Sequence, residues 1–584
     1  MIKILKRMTK REVLLVFISV VLITFNVWLD LRIPDYMSEI TRLIQLGDSN
    51  ISSILIPGFK MLLCAFGAFL CAIIVGYLAA WVSSSFSCNL RKSIFEKVED
   101  FGMEEVKKFK PSSLITRTTN DVTQIEMLIA MGLQMIMRAP IMAIWAISKI
   151  INKNFNWSMI VGVGVLLLVI TIIFLMITVL PKFKKIQKLI DSINGVTREN
   201  LTGIRVIRAF NADNYQQNRF ENINRNLTNT QLFTQRMFAL LNPVMNIIMH
   251  FLTLGIYFIG AIMIEKASMG LKITLFSDMV VFTSYGMQVI MSFLMLAMIF
   301  MIWPRASISA SRINEVLDTD ISIIDGNIDE KGLKEVGSVE FKNVSFKYSD
   351  ADEYVLKDIS FKANKGDVVA FIGSTGSGKS TLINLVPRFY DVTSGEVLID
   401  GVNVKNMKQK TLHNIIGYVS QKAFMFTGSV KDNVGYGDNG NKNKEIEKAI
   451  EVAQASDFVS KLEGGISAHI ARGGTNISGG QKQRLSIARA MARNPEIYIF
   501  DDSFSALDYK TDLALRKALK KYTKDATILI VAQRIGTIIN ADKIVVLDKG
   551  RCVGMGTHKE LLNNCEVYKE IALSQLSKEE LENA

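Results

Sequence analysis

The residues Gly373-Ser374-Thr375-Gly376-Ser377-Gly378-Lys379-Ser380-Thr381 carry the plainest chemistry in this chain. Their spacing is G-x-x-x-x-G-K-[ST], that of a phosphate-binding loop. Glycines let the backbone fold so that its N–H groups point at phosphate oxygens, and a helix N-terminus adds a positive field. Lys379 would meet the terminal phosphates, and Ser380 would offer its hydroxyl to Mg²⁺. A second stretch, Ile497-Tyr498-Ile499-Phe500-Asp501-Asp502, is an apolar strand ending in carboxylates. Such a strand end holds Mg²⁺ in phosphate-loop folds, and Asp501 takes that role. The two stretches together predict a protein that binds a nucleotide with Mg²⁺.

These loops need elements to hold them. Val368–Ile372 precedes the phosphate loop as an apolar run, and Leu382–Val386 follows it as the start of a helix. Short apolar runs at 397–400, 416–420, 497–501, 528–532 and 544–548 read as strands, with helical patterns at 480–493 and 509–522 between them. Val339–Tyr348 alternates as a further strand and Val355–Ala363 is its expected neighbour. Strands alternating with crossover helices predict an α/β fold with a parallel sheet.

The rest of the chain has a different composition. Apolar residues make up 49% of its 584 residues, and mean hydropathy is +0.25. The excess lies in apolar runs at about 13–33, 55–87, 155–180, 237–264 and 279–303, plus a weaker one at 127–150 that Arg138 interrupts. Roughly 20 apolar residues cross the hydrocarbon core, so six spans are expected. The basic residues sort to one side. The N-terminus has Lys3, Lys6, Arg7, Lys10 and Arg11, and the segments after the second and fourth spans are rich in Lys and Arg. By the positive-inside rule both termini are cytoplasmic in the cell membrane. This pattern accounts for the net charge of +13, so nucleic acid is not an expected partner. Polar helical sequence continues past the second and fourth spans for roughly 40–50 residues, long for a simple loop. The expected organisation is an all-α six-helix transmembrane domain with cytoplasmic helical extensions at 1–315, a linker at 316–336 and an α/β nucleotide-binding domain at 337–584. The five cysteines show no metal-ligand spacing, and thiols on the cytoplasmic side stay reduced.

Asn476-Ile477-Ser478-Gly479-Gly480-Gln481-Lys482-Gln483-Arg484 resembles the signature motif of ATP-binding cassette (ABC) proteins, with Ile477 where Leu is commoner. Physically it sets a serine and two glycines at a helix N-terminus, another anion site. In the family, Ser478, Gly479, Gly480 and Gln481 would cap the γ-phosphate bound by the opposite cassette of a dimer. The resemblance extends over nearly the whole chain and implies that the nucleotide is ATP. Tyr348 resembles the aromatic that stacks on adenine. Gln421 resembles the loop glutamine that reaches Mg²⁺, and Ser505-Ala506-Leu507-Asp508 the loop that communicates across the dimer. Leu114–Asp121 and Glu199–Phe210 resemble the intracellular loops whose short coupling helices dock on cassettes. Six spans followed by one cassette is the plan of an exporter half-transporter, of bacterial multidrug type.

Two positions depart from the family pattern. Asp502 stands where the family has a glutamate that acts as general base or orients water. Its carboxylate is one methylene shorter, a deficit of about 1.5 Å. Errors near 1 Å can cost on the order of a hundredfold in rate. Gln533 stands where the family has a histidine facing the γ-phosphate, and an amide donates but cannot become cationic. Asp502 and Gln533 therefore mark a degenerate catalytic site beside an intact signature. The expectation is a heterodimer in which a second half-transporter supplies the complete catalytic pair. A smaller departure is Arg472, where the family often has an acidic residue.

For cargo, Arg138, Asp30, Tyr285 and Gln288 are polar residues in or beside spans, and many of the 27 methionines lie in the last two. Polar groups in spans are functional candidates, and methionine walls are adaptable. Hydrophobic or amphipathic drug-like molecules fit such walls, and membrane lipid fits them too. Alternatives to the heterodimeric exporter are an ATP-gated regulatory subunit and a homodimeric exporter with slow ATPase.

Overall fold

Among the described residues, six helical runs are long and apolar enough to cross a membrane: Lys10–Leu46, Ile51–Glu99, Pro111–Ile151, Phe155–Ala209, Asp213–Lys266 and Gly270–Leu296. The computed structural model describes residues 1–46, 51–151, 155–329, 336–437 and 443–576. Several helices run well past bilayer thickness. Phe155–Ala209 is one helix of 55 residues, on the order of 80 Å long. The polar sequence after the second and fourth spans is thus helix, as expected from its length. The helices pack around Trp157, Phe282 and Tyr285, all fully buried. The polar tips of two of these rings find backbone partners. Trp157 Nε1 donates to the Ile256 carbonyl at 3.1 Å, and the Tyr285 hydroxyl donates to the Leu31 carbonyl at 3.0 Å. In an apolar interior those bonds fix helix register.

The third run is not a regular helix. Wider π-type turns occupy Arg117–Asp121 and Gly132–Ile136, and Arg138–Ile151 follows. The first of these turns packs against the Met269–Leu317 helix. Ser309 donates to Asp121 at 2.7 Å, Arg117 pairs with Glu315 at 2.8 Å, and Arg117 donates to the Arg312 carbonyl at 2.8 Å.

The remaining residues form an α/β unit. Its strands are β1 Val339–Phe346, β2 Leu356–Ala363, β3 Val368–Gly373, β4 Ser394–Ile399, β5 Val402–Asn403, β6 Ile416–Val419, β7 Gly428–Ser429, β8 His469–Ile470, β9 Ile497–Asp501, β10 Thr527–Val531, β11 Lys543–Asp548 and β12 Arg551–Gly556. Six of them form a sheet in the order β12-β11-β3-β10-β9-β6, with β6, β9, β10, β3 and β11 parallel. A second sheet, β2-β1-β4-β5, is antiparallel. One apolar core gathers side chains of both sheets, such as Phe341, Phe361, Phe371 and Leu547. Another lies among Ile372, Phe500, Leu485 and Leu515, where the helices Gly479–Ala492 and Tyr509–Tyr522 cover the parallel sheet. Burial on both faces explains why these strands read as continuous apolar runs.

By contact density the chain divides into Met1–Glu99 with Pro111–Thr319, and Asp320–Ala584 with Asp100–Lys110. The second grouping was not legible in the sequence. A short helix between two membrane helices, Met103–Phe109, belongs with the α/β unit. Buried Glu105 accepts from the Ser322 backbone N–H at 3.2 Å and its hydroxyl at 3.3 Å, and Lys107 pairs with Asp350 at 2.9 Å. Leu114–Asp121 and Glu199–Phe210, which resemble the family's intracellular loops, fall in the first grouping, and Leu114 and Asp121 are buried.

Candidate active site

The parallel strands deliver the chemistry at one edge. The phosphate loop leaves β3, Asp501 ends β9, Gln533 follows β10, and Gln421 follows β6. All four are carboxyl ends of parallel strands, where open α/β sheets bind ligands. Residues far apart in sequence therefore converge.

The loop itself is shaped by its glycines. Gly378 sits at φ 96°, and a Cβ there would lie 2.8 Å from Leu356 Cδ2. A Cβ on Gly373 would collide with the Leu547 carbonyl. Both positions exclude a side chain, so the backbone is free to close around phosphate. Lys379 Nζ folds back on the loop, donating to the carbonyls of Gly373 at 2.8 Å and Ser374 at 2.7 Å and to Ser377 Oγ at 3.3 Å. Burial pulls its pKa below the usual lysine value, while the charges of Asp502 and Asp501 oppose that pull. A phosphate would supply the counter-charge that two carbonyls lack. Thr375 and Gly376 complete the turn, and nothing lies within 4 Å of a Cβ built on Gly376.

Ser380 Oγ donates to Asp501 Oδ1 at 3.0 Å across 121 sequence positions. A hydroxyl and a carboxylate so paired are hard oxygen ligands suited to Mg²⁺. Bound there, Mg²⁺ would neutralise phosphate charge during transfer. Burial raises the Asp501 pKa, and the Ser380 hydrogen bond offsets part of that rise.

Asp502 is held differently. Its Oδ2 accepts from Gln533 Nε2 at 2.8 Å and from Gln421 Nε2 at 3.3 Å. Gln421 thus engages Asp502, while Ser380 engages Asp501. The Asp502 backbone lies at φ 47°, a left-handed conformation that aspartate tolerates better than most residues. Its N–H donates to the Val531 carbonyl at 3.0 Å, tying β9 to β10. Burial raises its pKa, with the Gln421 bond and the Lys379 charge pulling the other way. Gln533 is in turn latched by Gln575, which donates to the Gln533 carbonyl at 2.8 Å and accepts from the Ile535 N–H at 2.8 Å. Nothing local in the sequence marks Gln575, because its partners lie some 40 positions away.

Tyr348 closes the other side of the loop. Its hydroxyl is 3.0 Å from Thr381 Oγ1, and its ring meets Phe346 and Tyr390 edge-on. Lys107, from the short helix Met103–Phe109, lies 5.2 Å from the ring centroid. A cation over an aromatic face is attractive. The sequence signal was available in retrospect. Glu104 and Glu105 open that helix and Lys107 and Lys108 close it, the order that suits a helix dipole, between Gly102 and Lys110 as caps.

The signature residues are self-contained. Ser478 caps Gly479–Ala492, its Oγ accepting from the Gln481 N–H at 3.3 Å while Gln481 Oε1 accepts from the Ser478 N–H at 2.8 Å. This reciprocal box fixes the start of the helix. Gly480 packs near the Ala506 carbonyl, whereas nothing lies within 4 Å of a Cβ built on Gly479. Among the described residues, no hydrogen bond links Ser478–Gln481 to the phosphate loop.

Comparison with known proteins agrees with this architecture. Residues 356–505 match the family model described as ABC transporter, and residues 13–301 match the ABC transporter transmembrane region. The chain is 39% identical to an uncharacterised ABC transporter ATP-binding protein of Mycobacterium tuberculosis over 512 residues, 87% of this chain and 86% of that one. It is 32% identical over 504 residues, 85% of each chain, to a Staphylococcus aureus protein named as a candidate multidrug export ATP-binding/permease protein. Among solved structures, a bacterial Atm1-family ABC exporter with ATP bound superposes with a TM-score of 0.80 over 97% of this chain and 99% of that one; the identity is 24%, so this likeness concerns the fold. The chain belongs to the ABC transporter family: it is a half-transporter in which a multi-pass transmembrane region and an ATPase region are fused.

Proposed function

We propose that this chain is one subunit of an ATP-driven exporter of hydrophobic or amphipathic compounds. Its transmembrane domain spans 1–315 and its cassette 337–584, joined by 316–336, with both termini cytoplasmic. Tyr348, Gly373–Thr381 and Gln421 bind ATP, and Ser380, Gln421 and Asp501 hold Mg²⁺. That site hydrolyses slowly. Ser478, Gly479, Gly480 and Gln481 complete a faster site in a different half-transporter.

The observation that carries the slow-site reading is the double amide clamp on Asp502 Oδ2. A general base needs a free lone pair within reach of water. Here two amides occupy the oxygen, on a carboxylate already too short, and Gln533 brings no imidazole. The partner reading draws on the hairpin at residues 201–215, where Leu201, Val206, Phe210 and Tyr215 are 61–79% exposed. Apolar side chains on a polar hairpin are out of place in water and suit a second chain. The export assignment follows the name of the Staphylococcus aureus relative.

Purified chain, alone and mixed with a second half-transporter encoded beside it, tests the reading. The lone chain is expected to bind ATP with little turnover. The double substitution Asp502→Glu with Gln533→His should raise its turnover by at least tenfold. Fast ATPase from the unmodified lone chain that survives Asp502→Ala would overturn the slow-site reading.

A further inference from the structure

The α/β unit carries two helices near its C-terminal end, His558–Asn564 and Glu566–Leu573. The second is seated in the apolar core of the parallel sheet, where Tyr568 and Ala572 are fully buried with Ile535 and Ile538. The Tyr568 hydroxyl lies 2.7 Å from Nδ1 of buried His558, which ties the two helices together. One more turn follows Leu573. The Gln575 N–H donates to the Ala572 carbonyl at 3.1 Å, and the Leu576 N–H to the same carbonyl at 2.9 Å. Gln575 is exposed, yet it is presented from a well-anchored base.

Its side chain reaches the loop after β10. The sheet holds that strand as far as Ala532, whose N–H donates to the Phe371 carbonyl at 3.2 Å. Past Ala532 the short helix Ile535–Ile538 begins, and Arg534 gives it no side-chain cap. Gln575 supplies the bond from outside. Its Oε1 accepts from the Ile535 N–H and its Nε2 donates to the Gln533 carbonyl, each at 2.8 Å. An amide carries both a donor and an acceptor, so one side chain fixes residues 533 and 535 together. Gln533, held at its backbone, turns its own Nε2 onto Asp502 Oδ2 at 2.8 Å.

We propose that Gln575 is a positioning residue: the C-terminal helix holds the loop after β10 so that Gln533 stays on Asp502, and this hold is a brake on hydrolysis. The proposal rests on the slow-site reading above and adds what keeps the clamp closed. Of the two amides on Asp502 Oδ2, Gln421 is the more distant at 3.3 Å, so release of Gln533 is what frees the oxygen. Lys379 and Ser380 bond other groups, the phosphate loop and Asp501. The hold therefore acts on turnover and leaves ATP binding alone.

ATPase of the full lone chain, with hydrogen exchange read on a peptide that includes Ile535, tests this. Gln575→Ala should raise kcat by about threefold or more, the worth of one released hydrogen bond, and leave the KM for ATP within about twofold. It should also speed exchange of the Ile535 N–H by about tenfold. In a Gln533→Ala chain the same substitution should leave kcat nearly unchanged, because what it releases is already gone. Gln575→Glu adds a pH signature. Ionised, its carboxylate repels the Gln533 carbonyl; protonated, it donates to that carbonyl as the amide does. Its kcat relative to the parent should match that of Gln575→Ala at about pH 8 and return toward the parent's as pH falls to about 5, nearer the ordinary glutamate pKa. A misfolded variant cannot show that recovery. A kcat unchanged or lowered by Gln575→Ala, a change in KM alone, or equal gains with and without Gln533 overturns the proposal. Fast ATPase of the unmodified lone chain, with a Gln575→Ala gain that vanishes in the Gln533→Ala chain, removes the slow-site reading and leaves the positioning role standing.

Discussion

The phosphate loop and the signature loop sit in one α/β unit and both present backbone N–H groups, yet their partners differ. Around Gly373–Thr381 every functional side chain is engaged within the site. Lys379 bonds two carbonyls of its own loop, Ser380 bonds Asp501, and Asp502 is clamped by Gln421 and Gln533. Around Ser478–Gln481 the only side-chain bonds among the described residues close a helix cap, and Gly479 faces open space. The first loop has the makings of a complete site in a resting arrangement. The second has the makings of half a site. On the proposed reading one loop holds nucleotide and the other serves a second chain, so substitutions that slow the first need not touch the second.

Substitutions in each loop break or sharpen this contrast. Lys379→Ala should weaken ATP binding to the lone chain by on the order of a hundredfold, through loss of a charge-assisted phosphate contact. Gly479→Asp should leave that binding within about twofold, because the site of substitution is open, yet cut the ATPase of the proposed two-subunit complex by on the order of a hundredfold, by setting a carboxylate against phosphate. Filter binding and phosphate release measure the two effects. Equal effects of both substitutions on the lone chain's ATP affinity would erase the distinction.

A contrast of the same kind runs along β9. One end carries Asp501 and Asp502, and Glu496 precedes the other. Glu496 faces Asp400, and one oxygen of each is buried without a donor. Burial, chiefly, and the nearby Glu496 push the Asp400 pKa up to about 6. A carboxyl whose folded pKa is raised favours folding while protonated, so its contribution is full below the unfolded value and is lost as pH rises through about 6. Asp400→Asn stays neutral. It should match the parent below about pH 3.5 and exceed it at pH 7.5, by on the order of 2–3 kcal/mol. Apparent unfolding temperature against pH checks this, and a constant difference across that range assigns the pH dependence elsewhere.

The smallest expected effect concerns Tyr348. Lys107 lies over its ring and pairs with Asp350. An adenine stacked on that ring, as proposed, has to share it with the lysine or displace it. Lys107→Ala should change ATP affinity by about two- to fivefold and leave GTP affinity changed in the same direction, since any purine has a π-face. Unchanged affinity for both would make Lys107 a docking residue only.

Much of the cassette was legible because its code is local. The spacing of Gly373, Gly378 and Lys379 specifies a loop, and Ser478 with Gln481 specifies a helix cap, each within a few residues. The membrane helices were legible for a similar reason, since length and composition decide whether a helix crosses a bilayer. The short helix Met103–Phe109 is much less legible, although its charges follow the helix dipole. It is brief, and what holds it, Glu105 on Ser322, lies 217 positions away.

By itself the sequence determined a phosphate loop on an α/β sheet, six membrane helices, a signature cap, and the identities of Asp502 and Gln533. Only the tertiary structure decided that Gln421 and Gln533 close on the same Asp502 oxygen, that Arg138 finds Asp30, and that Gln575 reaches the loop carrying Gln533. The physical reason is range. Turns, caps and hydropathy are set by neighbours along the chain, whereas a pairing across tens or hundreds of residues depends on strand order and helix register, which emerge only when the whole core packs.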